Sequence, residues 1–285
     1  MADLGVWGMG SMGLGMAGSL LRAGHRVVGH DVRPDAVLDG GSEIAVGDLD
    51  AAVLVVLNAA QTEEVLFGAG GIAGEMRKGA VVIACATVAP DFARDMAGRC
   101  AALGLHYLDA PISGGAVKAA EGKLSIMAAG SPEAFAAARP ALDAMAETVF
   151  ELGAVGAGSA MKAVNQMLAG THIAAMAEAM VFGMTQGVSP AQFMEVIPAC
   201  AGTSWMLENR GPHIRDGDYT PRSAIPIWLK DLGIVGDIAK AAGIEMPLTE
   251  TALARFRAAA EMGLQAEDDA AVAKVYAAQA GVTLP

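Results

Sequence analysis

A glycine motif near the amino terminus limits the fold of this chain more than any other feature. Gly8, Gly10 and Gly13 form the pattern G-x-G-x-x-G, directly after the apolar run Leu4–Trp7 and at the start of the helical segment Ser11–Ala23. A strand followed by this pattern and a helix predicts the first unit of a parallel α/β sheet. The glycines permit the tight turn and the close packing of helix on strand that such a unit requires.

Four more short apolar runs follow, and helical stretches separate them. They are Val27–Asp31, Val53–Leu57, Val81–Cys85 and Leu105–Asp109. Runs that are continuous rather than alternating are typical of parallel strands covered on both faces. The first half is therefore predicted to be a doubly wound (Rossmann) α/β sheet, which Leu124–Ala129 and Thr148–Leu152 would extend.

The second half of the chain begins with a long apolar segment. Over residues 160–187 only Lys162 and Glu178 carry a charge, which predicts one helix about 42 Å long at ~1.5 Å per residue. A helix that is apolar on nearly all sides must be buried on nearly all sides, so we expect it to join two domains or two subunits. Polar residues within it, such as Asn165 and Gln166, argue against a membrane span.

Length and composition limit the class of protein. The 285 residues predict about two domains, a Rossmann domain at 1–155 and an all-α domain at 156–285. The net charge of −12 argues against a nucleic-acid or membrane partner, since both attract clustered cations. Scattered cysteines and histidines give no disulfide framework and no metal site. We expect a cytoplasmic protein, because the amino terminus also lacks the cationic start of a signal peptide.

The glycine motif also predicts a site for a dinucleotide. Amide donors and partial positive charge at the start of the helix suit a pyrophosphate. Asp31 ends the second apolar run, where a carboxylate accepts hydrogen bonds from both ribose hydroxyls and repels a 2′-phosphate. This favours NAD over NADP, although Arg33 weakens the preference. The predicted phosphate-binding residues are Gly8, Met9, Gly10, Ser11, Met12 and Gly13.

Lys162 is the candidate catalytic residue that the sequence offers by itself. It lies in the first turn of the apolar helix, where burial disfavours the charged form of an amine. An uncharged lysine can act as a general base near neutral pH. Asn165 lies on the same face of the helix and can hold a substrate hydroxyl without taking its proton, with Gln166 beside it. The alternative is a lysine that extends from the helix end into solvent.

A second candidate site follows the fifth apolar run. The segment Asp109–Gly115 would lie at the carboxyl edge of the sheet, where ligands bind in α/β folds. Ser113 offers a hydroxyl, and Gly114 and Gly115 expose backbone amides. The segment could therefore hold a carboxylate, and an ordinary glycine-rich turn is the alternative.

Four motifs, in order along the chain, together resemble one known family. They are Gly8–Gly13 with Asp31, Asp109–Gly115 with Gly122–Leu124, Gly156–Asn165, and Lys230–Leu232. In these motifs the sequence resembles the β-hydroxyacid dehydrogenases, which include 3-hydroxyisobutyrate dehydrogenase and tartronate semialdehyde reductase, over essentially the whole chain. The resemblance implies an NAD-dependent enzyme that oxidises a short hydroxy acid and forms a homodimer or homotetramer.

The resemblance also implies roles for individual residues. Lys162 matches the catalytic lysine of the family and Asn165 the first asparagine of its K-x-x-N-N pattern, whereas Gln166 replaces the second asparagine. The residues at substrate-binding positions are Ser113, Gly114, Gly115, Gln166 and Asp231. The residues at cofactor positions are Leu57, Asn58, Thr87 and Lys230. Of these, Lys230 is expected near the nicotinamide, with Asp231 as its partner.

The carboxy-terminal half most resembles the branch of the family that acts on L-threonate. Asn209, Arg210 and Arg222 could supply the extra donors that a polyhydroxylated acid needs, although Arg210 could instead pair with a carboxylate in the fold. Glu267–Asp269 is interpreted as a solvated helix start. Tartronate semialdehyde and 3-hydroxyisobutyrate remain alternative substrates, and a non-catalytic NAD-binding protein remains the alternative to an enzyme.

Overall fold

The computed structural model describes all 285 residues, in two compact units. The units are Met1–Lys162 and Ala163–Pro285, and the division between them falls inside one long helix, directly after Lys162. The predicted domain boundary after residue 155 stays a prediction.

Strands and helices alternate in the first unit, as the sequence pattern predicts. The strands are β1 (Asp3–Trp7), β2 (Arg26–His30), β3 (Ala51–Leu54), β4 (Val81–Ala84), β5 (His106–Asp109), β6 (Ile112–Ser113), β7 (Leu124–Ala128) and β8 (Ala146–Glu151). The helices are α1 (Ser11–Arg22), α2 (Ala59–Phe67), α3 (Pro90–Ala102), α4 (Gly115–Glu121), α5 (Pro132–Met145) and the start of α6 (Ala157–Thr185).

The first five strands form one parallel sheet in the order β2-β1-β3-β4-β5. Trp7, the last residue of β1, lies opposite His30 of β2 on one side and Leu54 of β3 on the other. The chain order therefore reverses at β1, and the loops after these three strands open at one edge of the sheet. Ligands bind at this kind of edge in open α/β sheets. The predicted Rossmann-like α/β fold is confirmed.

The strand β3 shows why the strands of this sheet have continuous apolar sequences. All four of its residues are buried. Val53 belongs to a core cluster with Val6 and Ile83 on one face, whereas Leu54 belongs to a second cluster on the opposite face. Both faces of the sheet are covered, so no position of the strand needs a polar side chain.

The prediction that the two later runs extend this sheet is wrong. They form β7 and β8, which belong to a separate three-stranded sheet in the order β6-β7-β8. Only an isolated bridge between Asp109 and Ala129 links the sheets. After β5 the chain turns at Pro111, whose nitrogen cannot donate to a ladder and whose carbonyl accepts from Met127 N at 2.9 Å.

The second unit is entirely helical, as predicted. Besides the rest of α6 it contains α7 (Pro190–Val196), α8 (Trp205–Asp216), α9 (Ile225–Ala242), α10 (Pro247–Glu261) and α11 (Ala273–Ala280). Ser189 begins α7 with a capping box, because its Oγ accepts from Gln192 N at 3.2 Å and the Gln192 side chain accepts from Ser189 N at 2.9 Å. In the core of this unit, Trp228 and Phe256 stack with ring centroids 5.8 Å apart.

The long apolar helix α6 exists as predicted, but it is not buried on all sides of this single chain. Met176 and Met180 are buried, whereas Val164 is 53% exposed and Phe182 is 66% exposed. By length and composition alone α6 could cross a membrane, although the core helix of a soluble protein passes the same test. The exposed apolar residues follow one stripe of the helix, which is typical of a surface that a partner covers.

Candidate active site

The glycine loop between β1 and α1 has the geometry that a close ligand approach needs. Gly8 has φ +94°, and a Cβ there would lie 2.4 Å from Val55 O. A Cβ on Gly13 would lie 1.8 Å from Gly8 O, so this glycine lets the helix pack against the loop. Gly10 has nothing within 4 Å of its Cβ position. Neighbouring atoms therefore fill the Cβ positions of Gly8 and Gly13, whereas the space beside Gly10 is free for a ligand.

The start of α1 is suited to an anion. Gly10 is the N-cap residue and no side chain caps this helix, whereas Asn58 caps α2 by accepting from Gln61 N at 2.9 Å. The amides in the first turn of α1, from Ser11 onward, point toward the carboxyl edge of the sheet. Gly10 and Ser11 are exposed there.

Asp31 is tied to this loop. Its Oδ2 accepts from Met9 N at 2.7 Å, and its Oδ1 accepts from Arg33 N at 2.9 Å and Arg33 Nε at 3.0 Å. These contacts with Arg33 lower the pKa of Asp31 to about 2. The carboxylate is therefore ionised and lies at the end of β2, next to the backbone of the glycine loop. Arg33 also donates to Met9 O at 3.1 Å, so the guanidinium lies on the same surface.

These residues fit a bound dinucleotide. The open backbone at Gly10 and the uncapped start of α1 suit a pyrophosphate, and the Asp31 carboxylate suits a ribose diol. The structure places the other predicted cofactor residues of this unit at the same edge of the sheet. Leu57 and Asn58 follow β3, and Thr87 follows β4. Their contacts with a cofactor stay predictions.

The predicted carboxylate-binding segment contains backbone that favours glycine. Gly114 has φ +135° and Gly115 has φ +76°, and both values lie in the region that L side chains rarely adopt. Ser113 pairs with Ser125 in the small sheet, which fixes the strand directly before the two glycines. The backbone conformation of this segment is therefore fixed by the strand pairing and requires glycine at both positions.

Lys162 is buried and contacts this segment. Only 8% of the residue is exposed, and its Nζ donates to Ile112 O at 2.9 Å. The lysine does not extend into solvent, so the alternative that the sequence left open is excluded. Asn165 and Gln166 follow at the positions i+3 and i+4 of the same helix, which places all three side chains on one face of α6.

Gln166 contacts two other predicted site residues of the second unit, and a third is paired with one of these. Its Oε1 accepts from Asn165 Nδ2 at 2.9 Å, and its Nε2 donates to Asp231 Oδ2 at 2.5 Å. Lys230 forms an ion pair with Asp231, with 2.6 Å between Nζ and Oδ1. Gln166 and Asp231 are both buried. The longer side chain in place of the second asparagine thus reaches a carboxylate 65 residues away.

Asp109, the first residue of the segment that leads to Gly114 and Gly115, has a structural role that its position in the motif does not indicate. Its carboxylate is buried and accepts from Gly156 N at 3.0 Å and from Ser159 N at 2.9 Å. Burial raises the pKa of Asp109, while its hydrogen bonds with Ser159 and Gly156 oppose that shift. The available signal was a glycine in the first turn of α6, because a Cβ on Gly158 would lie 2.6 Å from Asp109 O.

The donors proposed for a polyhydroxylated substrate are engaged within the fold. Arg210 is paired with Asp269, with 2.6 Å between Nε and Oδ1, so the alternative of a structural ion pair is correct for this residue. Asn209 accepts from Arg210, and Arg222 contacts His213 and Asp218. Only the Arg210 pair is largely buried, whereas Asn209 and Arg222 are exposed.

The interpretation of Glu267–Asp269 as a solvated helix start is wrong. Asp268 and Asp269 are both fully buried. Asp268 accepts from Arg222 N at 2.9 Å and contacts His213 Nδ1 at 2.8 Å, and Asp269 accepts from Trp228 Nε1 at 2.8 Å. Buried carboxylates of this kind persist because each has several donors. No group of three His, Cys, Asp or Glu side chains is arranged to hold a metal ion.

Two family models together match nearly the whole chain. Residues 3–153 match the model described as the NAD binding domain of 6-phosphogluconate dehydrogenase. Residues 156–276 match the model described as NAD-binding of NADP-dependent 3-hydroxyisobutyrate dehydrogenase.

Curated relatives and solved structures agree with these models. The L-threonate dehydrogenase of Cupriavidus necator is 47% identical over 99% of this chain and 98% of its own length. The 3-hydroxyisobutyrate dehydrogenase of Pseudomonas aeruginosa is 35% identical over 97% of this chain and 99% of its own length. A crystal structure of a 3-hydroxyisobutyrate dehydrogenase from Salmonella typhimurium is 45% identical, with a TM-score of 0.91, over 96% of this chain and 100% of that chain.

Proposed function

The chain belongs to the NAD-dependent β-hydroxyacid dehydrogenase family that includes 3-hydroxyisobutyrate dehydrogenase, and on that premise we propose that its substrate is L-threonate. It is an oxidoreductase that oxidises a short hydroxy acid with NAD. The observation that carries the choice of substrate is the 47% identity, over nearly both full lengths, with an L-threonate dehydrogenase. Three further relatives with that name, from Escherichia coli, Haemophilus influenzae and Pectobacterium atrosepticum, are 42–44% identical.

Lys162 is the proposed general acid and base. Its uncharged amine takes the proton of the substrate hydroxyl as the carbonyl forms, and the resulting ammonium returns that proton in the reverse direction. When NAD is bound, its nicotinamide accepts the hydride that leaves the same carbon. The burial of Lys162 and its hydrogen bond to Ile112 O support this role, because they hold the amine away from bulk water.

The remaining roles follow the residues that resemble the family. Ser113, Gly114 and Gly115 hold the substrate carboxylate, and Asn165 holds a substrate hydroxyl. By the same resemblance, Lys230 would contact the nicotinamide when NAD is bound. For L-threonate the product is the 2-oxo acid, whose ketone is α to the carboxylate, so no β-decarboxylation follows.

A second substrate is favoured by one observation. The Salmonella typhimurium structure, 45% identical to this chain, is named a 3-hydroxyisobutyrate dehydrogenase. Initial rates distinguish the candidates when L-threonate and 3-hydroxyisobutyrate are oxidised with NAD or NADP and tartronate semialdehyde is reduced with NADH or NADPH. We expect kcat/KM to be highest for L-threonate with NAD. Fast oxidation of 3-hydroxyisobutyrate without turnover of L-threonate contradicts the proposal.

The assembly we propose is a homodimer or homotetramer in the cytoplasm. The exposed apolar stripe on α6, which includes Met161, Val164, Leu168 and Phe182, supports it. Leaving such a stripe in water is unfavourable, and a second copy of the chain would cover it. Light scattering on the purified protein tests this directly, since a monomer at micromolar concentration contradicts it.

A further inference from the structure

Four polar side chains of the second unit form one directed chain of contacts. Asn165 Nδ2 donates to Gln166 Oε1 at 2.9 Å, Gln166 Nε2 donates to Asp231 Oδ2 at 2.5 Å, and Asp231 Oδ1 is paired with Lys230 Nζ at 2.6 Å. Each member of the chain thus has a defined partner.

The Asp231 carboxylate sets the direction of the hydrogen bonds between Gln166 and Asn165. An ionised carboxylate has only acceptors, so Gln166 must turn its NH₂ group toward Asp231. Its Oε1 then faces Asn165, which must in turn present Nδ2 to that oxygen. The Asn165 Oδ1 is left on the other side of the carboxamide. A carboxamide that lacked these partners could rotate by 180° at little cost, because its two ends have nearly the same shape.

We propose that Asp231, acting through Gln166, fixes the Asn165 carboxamide so that Oδ1 accepts a hydrogen bond from a substrate hydroxyl that does not react. Gln166 and Asp231 are then positioning residues that make the site select acids with a second hydroxyl. This inference rests on the proposed function, in which Asn165 contacts the substrate. An oxygen acceptor favours a hydroxyl and disfavours any group at that place that lacks a proton to donate.

Fluorinated substrates test the direction of the carboxamide. Fluorine replaces a hydroxyl in similar volume but donates no proton. We therefore compare kcat/KM for L-threonate with that for its 3-deoxy-3-fluoro and 4-deoxy-4-fluoro analogues, in the wild type and in variants of Gln166. In the wild type, fluorine at the position that Asn165 contacts lowers kcat/KM by about tenfold or more.

The two informative variants are Gln166→Met and Gln166→Glu. Methionine keeps the length of the side chain but offers no comparable acceptor, so the Asn165 carboxamide can rotate and present N–H to the fluorine. The ratio of kcat/KM for L-threonate to kcat/KM for the fluoro analogue then falls severalfold. Glutamate shares a proton with the adjacent Asp231 carboxylate, because two carboxylates in contact cannot both be ionised, and it still offers an oxygen to Asn165 Nδ2. It is therefore the matched control and keeps the wild-type ratio. Asp231→Asn removes the directing charge by another route and lowers the ratio as Gln166→Met does.

Purely structural damage would lower both rates together and leave their ratio unchanged. An unchanged ratio in Gln166→Met and Asp231→Asn, or an equal fall in Gln166→Glu, overturns the inference. If the wild-type protein does not oxidise L-threonate, the proposed function has failed instead, and that result is visible before any variant is measured.

Discussion

Asp109 caps the first turn of α6 through Ser159. The Oδ1 of Asp109 accepts from Ser159 Oγ at 2.6 Å, and its Oδ2 accepts from Ser159 N at 2.9 Å. Lys162 lies three residues further along this helix and donates to Ile112 O, three residues after Asp109. The segment from Asp109 to Ile112 therefore contacts both the start of α6 and the Lys162 side chain. This fixes the amine relative to the Gly114 and Gly115 backbone that follows.

Replacement of this cap tests whether it positions the lysine. Asp109→Ala removes the acceptors of Gly156 N, Ser159 N and Ser159 Oγ, so we expect unfolding to become easier by about 2 kcal/mol and kcat to fall about tenfold. Ser159→Ala keeps the carboxylate and is the milder control. Thermal unfolding, kcat and NADH binding are measured for both. A loss of NADH binding as large as the loss of kcat would show general damage instead of a displaced Lys162.

Removal of the lysine amine tests the proposed general base. Lys162→Ala should lower kcat by about 10³-fold, because proton transfer by a positioned side chain contributes on that order. NADH binding, followed by fluorescence, should stay within about twofold of the wild type, since Lys162 is not part of the glycine loop. Lys162→Met, which fills the same volume, controls for the cavity. A variant that keeps its turnover would rule out the assignment.

The pairing of Asp31 with Arg33 predicts how the cofactor preference changes. Asp31→Asn removes the charge that repels a 2′-phosphate and releases the Arg33 guanidinium from its ion pair. The ratio of kcat/KM with NAD to that with NADP should therefore fall by about tenfold or more. Adding Arg33→Ala to this variant should remove the gained NADP activity. If both variants keep the wild-type ratio, Asp31 does not contact the ribose.

Substitution of two glycines in the loop should have different effects, a loss of stability at Gly13 and a loss of NADH affinity at Gly10. Gly13→Ala would place a Cβ 1.8 Å from Gly8 O, so the helix must shift and the protein should lose several kcal/mol of stability. Gly10→Ala meets nothing within 4 Å and should fold normally, yet its methyl group would occupy the surface where a pyrophosphate approaches. We expect weaker NADH binding with an unchanged melting temperature for Gly10→Ala. Normal NADH affinity in that variant would place the pyrophosphate elsewhere.

The buried carboxylate of Asp269 predicts a pH effect on stability. Burial raises the pKa of Asp269 to about 6, above the ordinary value of 3.8, despite the opposing pair with Arg210. The folded state therefore holds this proton more tightly than the unfolded state, and the contribution of Asp269 to stability decreases as the pH rises from about 4 to 6. The stability of the wild type relative to Asp269→Asn should fall over that interval. Urea unfolding across the interval measures the difference, and a relative stability that rises contradicts the assignment.

The local parts of this protein were predictable from the sequence. The glycine loop, the buried strands and the long helix each depend on residues within a few positions of one another, and hydrophobic periodicity reports such local order. The proximity of Gly8–Gly13 to Asp31 was also predictable. Consecutive strands β1 and β2 pair in parallel, so the residues that follow each strand lie at the same edge of the sheet. The position of Lys162 in the first turns of an apolar helix was enough to single it out.

The partners of the polar residues were not predictable in this way. Arg210 and the carboxylate of Asp269 are 59 residues apart, and Gln166 and Asp231 are 65 residues apart. The sequence left both a substrate contact and a structural ion pair open for Arg210, and it favoured a solvated position for Asp269. The pattern of charges along a chain does not distinguish a surface carboxylate from a buried one.

The sequence by itself determined the α/β alternation, the dinucleotide loop and the long apolar helix that carries Lys162, since each follows from spacing along the chain. Only the tertiary structure decided that β7 forms a second sheet, that Asp109 caps α6 and that Gln166 contacts both Asn165 and Asp231. Those outcomes depend on which distant donors and acceptors packing brings within about 3 Å, and a linear pattern carries no record of that distance.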